Sequence, residues 1–436
     1  MNDLEKRMHQ PHPLTFPVTR EGYRTEIAGL PVVELARRFG TPTFVYDAAV
    51  IAARVRSLSR FDVVRYAQKA CPNIAVLDLC RREGALVDAT SAGEVHRALA
   101  AGYRATGDPA PIVYTADIFD RDSLDLVVEQ GVHVNCGSAD MIDQYAARVG
   151  KGDVTLRINP GFGHGHSRKT NTGGEHSKHG IWHEDLPEVL GRAAGLGMRI
   201  SGLHVHIGSG SDLEHLSQVC KALEKLALRV GPQLDSISAG GGLPVPYKLG
   251  DATMDVEAYF ELWDATRRRL QETFGHPVRL EIEPGRYLVA DSGFLVTEVR
   301  ALKRMGDNRF CLVDAGFNNL VRPAMYGSWH PMALAPADGD LERALGGFVV
   351  GGPLCESGDI FTQEESGDVG QARLPSPRVG DFVVIGVAGA YGASMSSNYN
   401  SKPLAAEVLV VDRTAHLVRE RQRLEDLTRG ERVPPL

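Results

Sequence analysis

The sequence lacks the features that mark membrane, secreted and nucleic-acid-binding proteins. It has no run of about 18 consecutive apolar residues, the length that a membrane-spanning helix requires. The first residues, MNDLEKRMHQPHPLTF, contain no apolar segment of the kind that a signal peptide carries. Acidic and basic residues are interspersed at a formal net charge of -7, so no basic stripe predicts a nucleic-acid or anionic-membrane partner. We therefore expect a cytoplasmic protein that binds a small molecule.

Cysteine is also scarce and follows no pattern. The 436 residues contain six cysteines without a CxxC pair, which argues against a zinc ribbon or a disulfide scaffold and predicts reduced thiols. Hydrophobic residues make up 43% of the chain and charged residues 24%, values typical of globular proteins. The length predicts two domains.

Short β-rich runs alternate with longer helix-like stretches through the first two thirds of the chain. Eight such runs begin with DVVRYA at 62–67 and end with VRLEIE at 278–283. Stretches such as 92–103 and 216–231 between them repeat apolar residues at helical spacing. The GxGxxG fingerprint of an open doubly wound sheet is absent. Eight βα units in about 240 residues therefore predict a closed (β/α)8 barrel.

The sequence changes character after about residue 290. Alternating strands separated by Gly and Pro turns follow, which predicts a second, mainly antiparallel β domain. The strand-like segment GTPTFVYD at 40–47 precedes the barrel, and we expect it to join the sheet of that second domain. The predicted fold class is α/β plus β, with an N-terminal segment 1–47, a barrel over 48–290 and a C-terminal β domain over 291–436.

Reactive side chains stand where the predicted barrel strands end. Lys69 follows the first strand, Asp88 ends the second, His206 ends the sixth, Gly240–Gly242 end the seventh and Glu283 ends the eighth. Because the active site of such a barrel lies at the carboxyl ends of its strands, we expect these residues to converge.

Two glycine-containing turns predict a phosphate site. GGG at 240–242 lets backbone N–H groups approach an anion, and EPGR at 283–286 supplies Arg286. Either turn alone would more simply be a structural turn, but HVHIGSG at 204–210 adds the Ser209 hydroxyl. A phosphate site, a lysine and a carboxylate together predict pyridoxal 5'-phosphate (PLP), and leave decarboxylation and racemisation both open.

A set of motifs resembles a known family. YAQKA at 66–70, HIGSG, SAGGG, EIEPGR, GPLCESGD and GAYGASMSSNYNS are similar to the signature set of fold-type III PLP-dependent decarboxylases. CESGD at 355–359 and RPAMYG at 322–327 resemble the diaminopimelate decarboxylases within that family. The resemblance runs from GTPTFVYD nearly to the C-terminus. It implies decarboxylation of meso-2,6-diaminopimelate to L-lysine and CO2, the last step of lysine biosynthesis.

The same resemblance implies roles for individual residues. Lys69 would hold PLP covalently, His206 would stack on its ring, and Glu283 would pair with the ring nitrogen. Cys355 would donate a proton from the other subunit of a homodimer. Other cofactor-binding residues implied, chiefly for the phosphate, are Asp88, Ser209, Gly242, Gly285, Arg286 and Tyr391.

For the substrate, the resemblance implies that Arg322, Tyr326 and Arg286 hold the remote carboxylate, and that Tyr391 is a further substrate-binding residue. Glu356 would hold the remote ammonium. A site with paired charges rejects analogues that lack them. Two alternatives stay open: a related decarboxylase acting on ornithine, arginine, lysine or a D-amino acid, and a non-catalytic regulator that has lost PLP.

The chain departs from the family pattern in two places, and it contains a histidine-rich segment. Cys71 stands where many relatives have asparagine, and His179 stands where many have an aromatic residue. The Gly/His-rich segment 161–180 also contains His164, His166 and His176, but their spacing matches no tetrahedral metal site. We expect no metal and interpret this segment as a loop that covers the substrate.

Overall fold

This computed structural model describes residues 22–162, 173–206, 213–248, 251, 254–364 and 366–435, with only the backbone of 213–215. The chain forms two compact units. The first contains 52–245 and 252–288, and the second contains the described parts of 13–51, 246–251 and 289–436. No helix in the described part of the chain is both long and apolar enough to cross a membrane.

The N-terminal elements begin with a two-residue antiparallel ladder. The first helix buries Val32, Leu35 and Ala36 on one face and ends at Gly40, whose φ of 72° suits glycine. In chain order the elements are β1 (Glu26–Ile27), β2 (Leu30–Pro31), α1 (Val32–Phe39), β3 (Thr43–Asp47) and α2 (Ala48–Arg56).

A closed barrel of eight parallel strands forms the first unit. The strands of its sheet are β4 (Val63–Ala67), β5 (Leu86–Ala89), β6 (Ile112–Ala116), β7 (His133–Cys136), β8 (Gly152–Asn159), β9 (Ile181–Trp182), β10 (Met198–Val205), β11 (Ser236–Ser238) and β12 (Arg279–Ile282). The ring closes where β12 pairs with β4, and the short β9 stands outside it because β8 pairs directly with β10. The predicted barrel is confirmed.

Helices connect the barrel strands. Side chains of Asn73, Ser91 and Asp120 accept backbone N–H groups at the starts of three of them, which satisfies donors that the helices leave free. The helices are α3 (Ile74–Arg82), α4 (Ala92–Ala100), α5 (Arg121–Gln130), α6 (Ala139–Val149), α7 (Leu186–Gly195), α8 (Leu213–Val230), α9 (Val256–Phe274) and α10 (Arg286–Val289).

The second unit is built on a mixed, mainly antiparallel sheet, as predicted. Its remaining elements are β13 (Gly293–Met305), β14 (Asn308–Val313), α11 (Arg322–Tyr326), β15 (Met332–Ala335), β16 (Leu345–Gly351), β17 (Ala372–Pro375), β18 (Phe382–Ile385), β19 (Ala406–Val411), β20 (Thr414–Arg419) and α12 (Leu424–Thr428). The early strand β3 lies between β13 and β19, antiparallel to the first and parallel to the second. Val45, Phe294, Val384 and Val408 belong to its buried core.

A buried ion pair joins the two strands at the closure of the barrel. On β4, Arg65 Nε lies 2.6 Å and Nη2 3.2 Å from the carboxylate oxygens of Glu281 on β12. The Arg65 side chain is 3% exposed and that of Glu281 is 10% exposed. Arg65 Nη1 also donates to the Ala110 carbonyl. Because buried charges are costly unless they are paired, this contact favours the observed closure over other registers.

We expect Arg65→Met to lower the free energy of unfolding of the barrel by about 3–5 kcal/mol, because the Glu281 carboxylate would remain buried without its partner. Chemical denaturation of the cofactor-free protein measures this change. The control is Arg56→Met, which removes a pair with Glu83 from a side chain that is 69% exposed and should change stability far less. Equal losses in both variants would contradict the prediction.

Candidate active site

A cavity of about 930 Å³ lies against the carboxyl ends of β6, β7 and β8. Lys69 reaches it from a short 3-10 helix, Gln68–Ala70, that directly follows β4, and its side chain is exposed. Thr115 and Ala116 of β6 and Arg157 of β8 line the same cavity. A second cavity of about 550 Å³ lies among side chains inside the barrel, towards the amino ends of the strands. Glu283 also lines this second cavity. The lysine marks the 930 Å³ cavity as the candidate reaction site.

Glu283 is a buried carboxylate with a partner for each oxygen. Ser238 Oγ donates to Oε1 at 3.0 Å, and His204 Nε2 lies 2.9 Å from Oε2, in an ion-pair contact whose N–H is not aligned as a hydrogen bond. Burial opposes ionisation, but the charge of His204, then Arg65 and the Ser238 hydroxyl, outweigh it. The pKa of Glu283 is therefore held well below its ordinary value.

Asp88 has the opposite electrostatic setting. Its side chain is buried, and Oδ1 has no hydrogen-bond partner among the described residues. Burial, followed by the negative charge of Glu283, raises the pKa of Asp88 well above its ordinary value, although Lys69 and Thr115 act against this. The pKa values of the two carboxyl groups are thus driven apart, downward for Glu283 and upward for Asp88.

His206 is fixed by the glycine turn beside it. Gly241 N donates to His206 Nδ1 at 3.1 Å, which makes Nδ1 the acceptor and leaves the proton on Nε2. Burial, then the charges of Arg157 and Lys69, lower the pKa of His206 well below its ordinary value, so that its ring is neutral.

Glycine is required in this turn and in the next. A Cβ atom on Gly241 would lie 2.5 Å from the Glu283 carbonyl oxygen, and Gly242 has a φ of 96°. A Cβ atom on Gly285 would lie 3.1 Å from the Ala67 carbonyl oxygen, while the adjacent Arg286 is half-buried. At both turns the absence of a side chain lets the backbone pack closely against neighbouring barrel segments.

Other residues singled out in the sequence either lie outside the described part of the chain or line the cavity. Ser209, His164 and His166 lie outside the described residues. His179 lines the 930 Å³ cavity with Nδ1 2.5 Å from Asp117 Oδ2. The described residues contain no cluster of three or more His, Cys, Asp or Glu that could hold a metal ion.

In the second unit, Arg322 is buried against aromatic rings. Its guanidinium carbon lies 5.2 Å from the centroid of the Tyr326 ring and 5.6 Å from that of Tyr391. Nη2 donates to Ser328 Oγ at 3.3 Å. Ring faces stabilise a cation, so these tyrosines keep a buried positive charge available at this position.

Cys355 stands on a firmly held turn of the second unit. Its backbone N–H donates to Asn400 Oδ1 at 2.7 Å. The buried carboxylate of Asp359 accepts Leu354 N at 2.8 Å and Phe317 N at 2.7 Å, which fixes both ends of the turn. Cys355 is exposed whereas the other five cysteines are buried, and the neighbouring Glu356 is exposed as well.

The sequence interpretation missed His204, Ser238 and Arg157, which surround the carboxylates. A signal existed for one of them. His204 stands two residues before His206, and alternate residues of a strand lie on the same face of the sheet. Nothing local marked Ser238, because its contact depends on how neighbouring strands align.

A family model described as the pyridoxal-binding domain of pyridoxal-dependent decarboxylases matches residues 49–290. The chain belongs to the pyridoxal-dependent decarboxylases. The match covers the barrel strands that carry Lys69, Asp88, His206 and Glu283.

Relatives in this decarboxylase family match nearly the whole chain. A diaminopimelate decarboxylase from Streptomyces coelicolor is 57% identical over 92% of this chain and 91% of its own. That of Escherichia coli K12 is 52% identical over 92% and 96%. A crystal structure of diaminopimelate decarboxylase superimposes with a TM-score of 0.89 at 52% identity, covering 91% of this chain and 95% of its own.

The barrel residues fit pyridoxal phosphate, the cofactor of this decarboxylase family. The exposed Lys69 would hold it covalently, and the ionised Glu283 would face its protonated ring nitrogen. A buried carboxylate kept ionised is the chemistry that a pyridinium N–H requires.

We expect Asp88→Asn to raise the melting temperature of the cofactor-free protein at pH 7 to 8. The raised pKa of Asp88 means that its contribution to stability is full below the unfolded pKa of about 3.9 and is lost as the pH rises through the folded pKa. Asparagine does not ionise, so the variant avoids this loss of stability. The gain in melting temperature should therefore vanish near pH 4. Melting curves at both pH values measure it, with the exposed Asp122→Asn as control. A destabilised variant at pH 7 would contradict the prediction.

Proposed function

We propose that this decarboxylase converts meso-2,6-diaminopimelate to L-lysine and CO2, the last step of lysine biosynthesis, with pyridoxal phosphate bound at Lys69. The observation that carries the proposal is the 57% identity to the Streptomyces coelicolor diaminopimelate decarboxylase over 92% of the chain. A crystal structure of the Helicobacter pylori diaminopimelate decarboxylase complexed with L-lysine has a TM-score of 0.79 to this chain at 29% identity. That complex supports lysine as the product.

In this proposal the barrel residues bind the cofactor and control charge. When bound, pyridoxal phosphate accepts the electron pair that remains when CO2 leaves the substrate. Glu283 keeps a negative charge against the ring nitrogen, and neutral His206 covers the ring. The phosphate contacts come from Ser209, Gly242, Gly285, Arg286 and Tyr391, and Asp88 completes the cofactor site.

The second unit recognises the far end of the substrate in this proposal. The cation of Arg322, supported by Tyr326, Tyr391 and Arg286, binds the remote carboxylate, and Glu356 binds the remote ammonium. A substrate without the remote carboxylate would forgo this charged contact with the buried Arg322, which disfavours ornithine, arginine and lysine.

We further propose a cytoplasmic homodimer in which Cys355 of one subunit donates the proton in the site that contains Lys69 of the other. The exposed thiol on a fixed turn supports a role in proton transfer. The proposed domains are 1–47, which supplies a strand to the β domain, 48–290 and 291–436.

The direct test is release of CO2 by the purified holoenzyme with meso-diaminopimelate, L-lysine, L-ornithine and L-arginine supplied separately. We expect turnover with meso-diaminopimelate and stoichiometric L-lysine. Faster turnover of a monocarboxylate substrate would favour a related decarboxylase, and no turnover of any amino acid would favour a regulator.

Lys69→Ala should abolish covalent attachment of the cofactor and the visible absorbance that accompanies it, because Lys69 follows the first barrel strand and reaches the cavity. Borohydride treatment followed by mass spectrometry of the peptides measures attachment. If the variant still carries trapped cofactor, Lys69 is not the attachment site.

Arg322→Ala should lower kcat/KM for meso-diaminopimelate by about 100-fold or more, because the remote carboxylate loses its charged partner. A substrate that lacks this carboxylate should lose much less. The measurement is kcat/KM for both substrates in wild type and variant. Equal losses would assign Arg322 to the fold or to the cofactor instead.

Mixing inactive Lys69→Ala with inactive Cys355→Ala protein should restore activity when subunits exchange. In a mixed dimer one site receives both changes and the other receives neither. Half of the dimers are mixed, so about a quarter of wild-type activity should return. No recovery despite independently demonstrated exchange would place Lys69 and Cys355 in one chain.

A further inference from the structure

His204 is a buried histidine to which the reaction proposed above gives no task. It lies on β10 two residues before His206, and 1% of it is exposed. In the barrel register it stands opposite Arg157 on β8 and Ser238 on β11. An imidazole in the barrel interior requires a polar partner, since burial of an unpaired polar group is costly.

That partner is the Glu283 carboxylate. His204 Nε2 lies 2.9 Å from Glu283 Oε2, and within the described residues no other basic side chain is in ion-pair contact with this carboxylate. Arg65, the next positive charge, is already paired with Glu281 through two of its nitrogens and donates to the Ala110 carbonyl through the third. The arginine therefore acts on Glu283 only at longer range.

Charged and titratable groups face Glu283 from several strands. Those of positive charge favour its ionised form, and the carboxyl of Asp88 opposes it. Those that interact with Glu283 electrostatically, besides His204, are Arg65 on β4, Asp88 on β5, Arg157 on β8 and His206 after β10.

We infer that His204 is a positioning residue: acting through Glu283, it keeps that carboxylate ionised and in place to pair with the ring nitrogen of pyridoxal phosphate, a role that rests on the proposed function of Glu283. Burial is the largest effect on the pKa of Glu283 and raises it, and the charge of His204 is the largest of the effects that lower it. Without His204, burial and Asp88 favour the protonated carboxyl, which cannot accept the ring N–H.

The first test compares two cofactors with the apoprotein. His204→Gln keeps a polar side chain and removes the imidazole. We expect its affinity for pyridoxal phosphate to fall about tenfold, because Glu283 Oε2 loses the imidazole that holds the carboxylate in place. The deaza analogue has C–H in place of the ring nitrogen and cannot pair with an ionised Glu283. Its affinity should therefore change less than about threefold. Equal losses for both ligands, or no loss for either, would overturn the inference.

The second test is the pH dependence of kcat/KM. The reaction requires ionised Glu283, and loss of His204 raises the pKa of Glu283, so activity should disappear at a higher pH on the acid side. We expect the acid limb to move to a higher pH in His204→Gln, because burial and Asp88 then favour the protonated carboxyl of Glu283. The matched control is His133→Gln, which replaces a half-buried histidine on β7 whose Nε2 lies 2.9 Å from Thr155 Oγ1. An unmoved acid limb in His204→Gln would contradict the inference.

Two further variants separate the explanations. Ser238→Ala removes the hydrogen bond to the other oxygen of Glu283 and should shift both readouts in the same direction by a smaller amount. If His204→Gln fails to fold, Ser238→Ala is measured in its place. An unchanged cofactor affinity and an unchanged acid limb in Ser238→Ala would then count against control of Glu283 by its neighbours.

Glu283→Gln should lose the preference for pyridoxal phosphate over the deaza analogue. If it retains that preference, the proposed function of Glu283 fails; if only His204→Gln retains it, the His204 inference fails alone.

Discussion

The barrel site depends on keeping one buried carboxylate, that of Glu283, ionised. Burial of Glu283 favours its protonated form, and the protein opposes this with His204 at 2.9 Å and the Ser238 hydroxyl at 3.0 Å. Because these partners come from two strands adjacent in the barrel, the charge of Glu283 is a property of the closed barrel and not of a local sequence motif.

The same constraint explains the polar interior of the barrel. Most (β/α)8 barrels fill this volume with branched apolar side chains. Here Arg65 and Glu281 pair at the seam between β4 and β12, and a cavity of about 550 Å³ lies beside them. Because Arg65 is paired with Glu281, a separate group, His204, lies against Glu283. The surroundings lower the pKa of Glu283 and raise that of Asp88.

The second unit holds its polar groups on rigid supports. Asp359 and Asn400 hold the backbone around Cys355, and Tyr326 and Tyr391 flank the Arg322 cation. The similarity to the diaminopimelate decarboxylases of Streptomyces coelicolor and Escherichia coli extends across both units, which is why the proposed function draws on residues from each.

The sequence by itself determined the barrel, the β-rich second unit and the ends of strands at which Lys69, Asp88, His206 and Glu283 stand. These follow from local periodicity and from the rule that parallel strands bring their carboxyl ends to one mouth. Only the tertiary structure decided that His204 contacts Glu283, that Arg65 meets a carboxylate 216 positions away, and that the pKa of Asp88 is raised. Such contacts depend on strand register, and protonation depends on burial and on the charges of neighbouring strands, neither of which is encoded within any single segment of the chain.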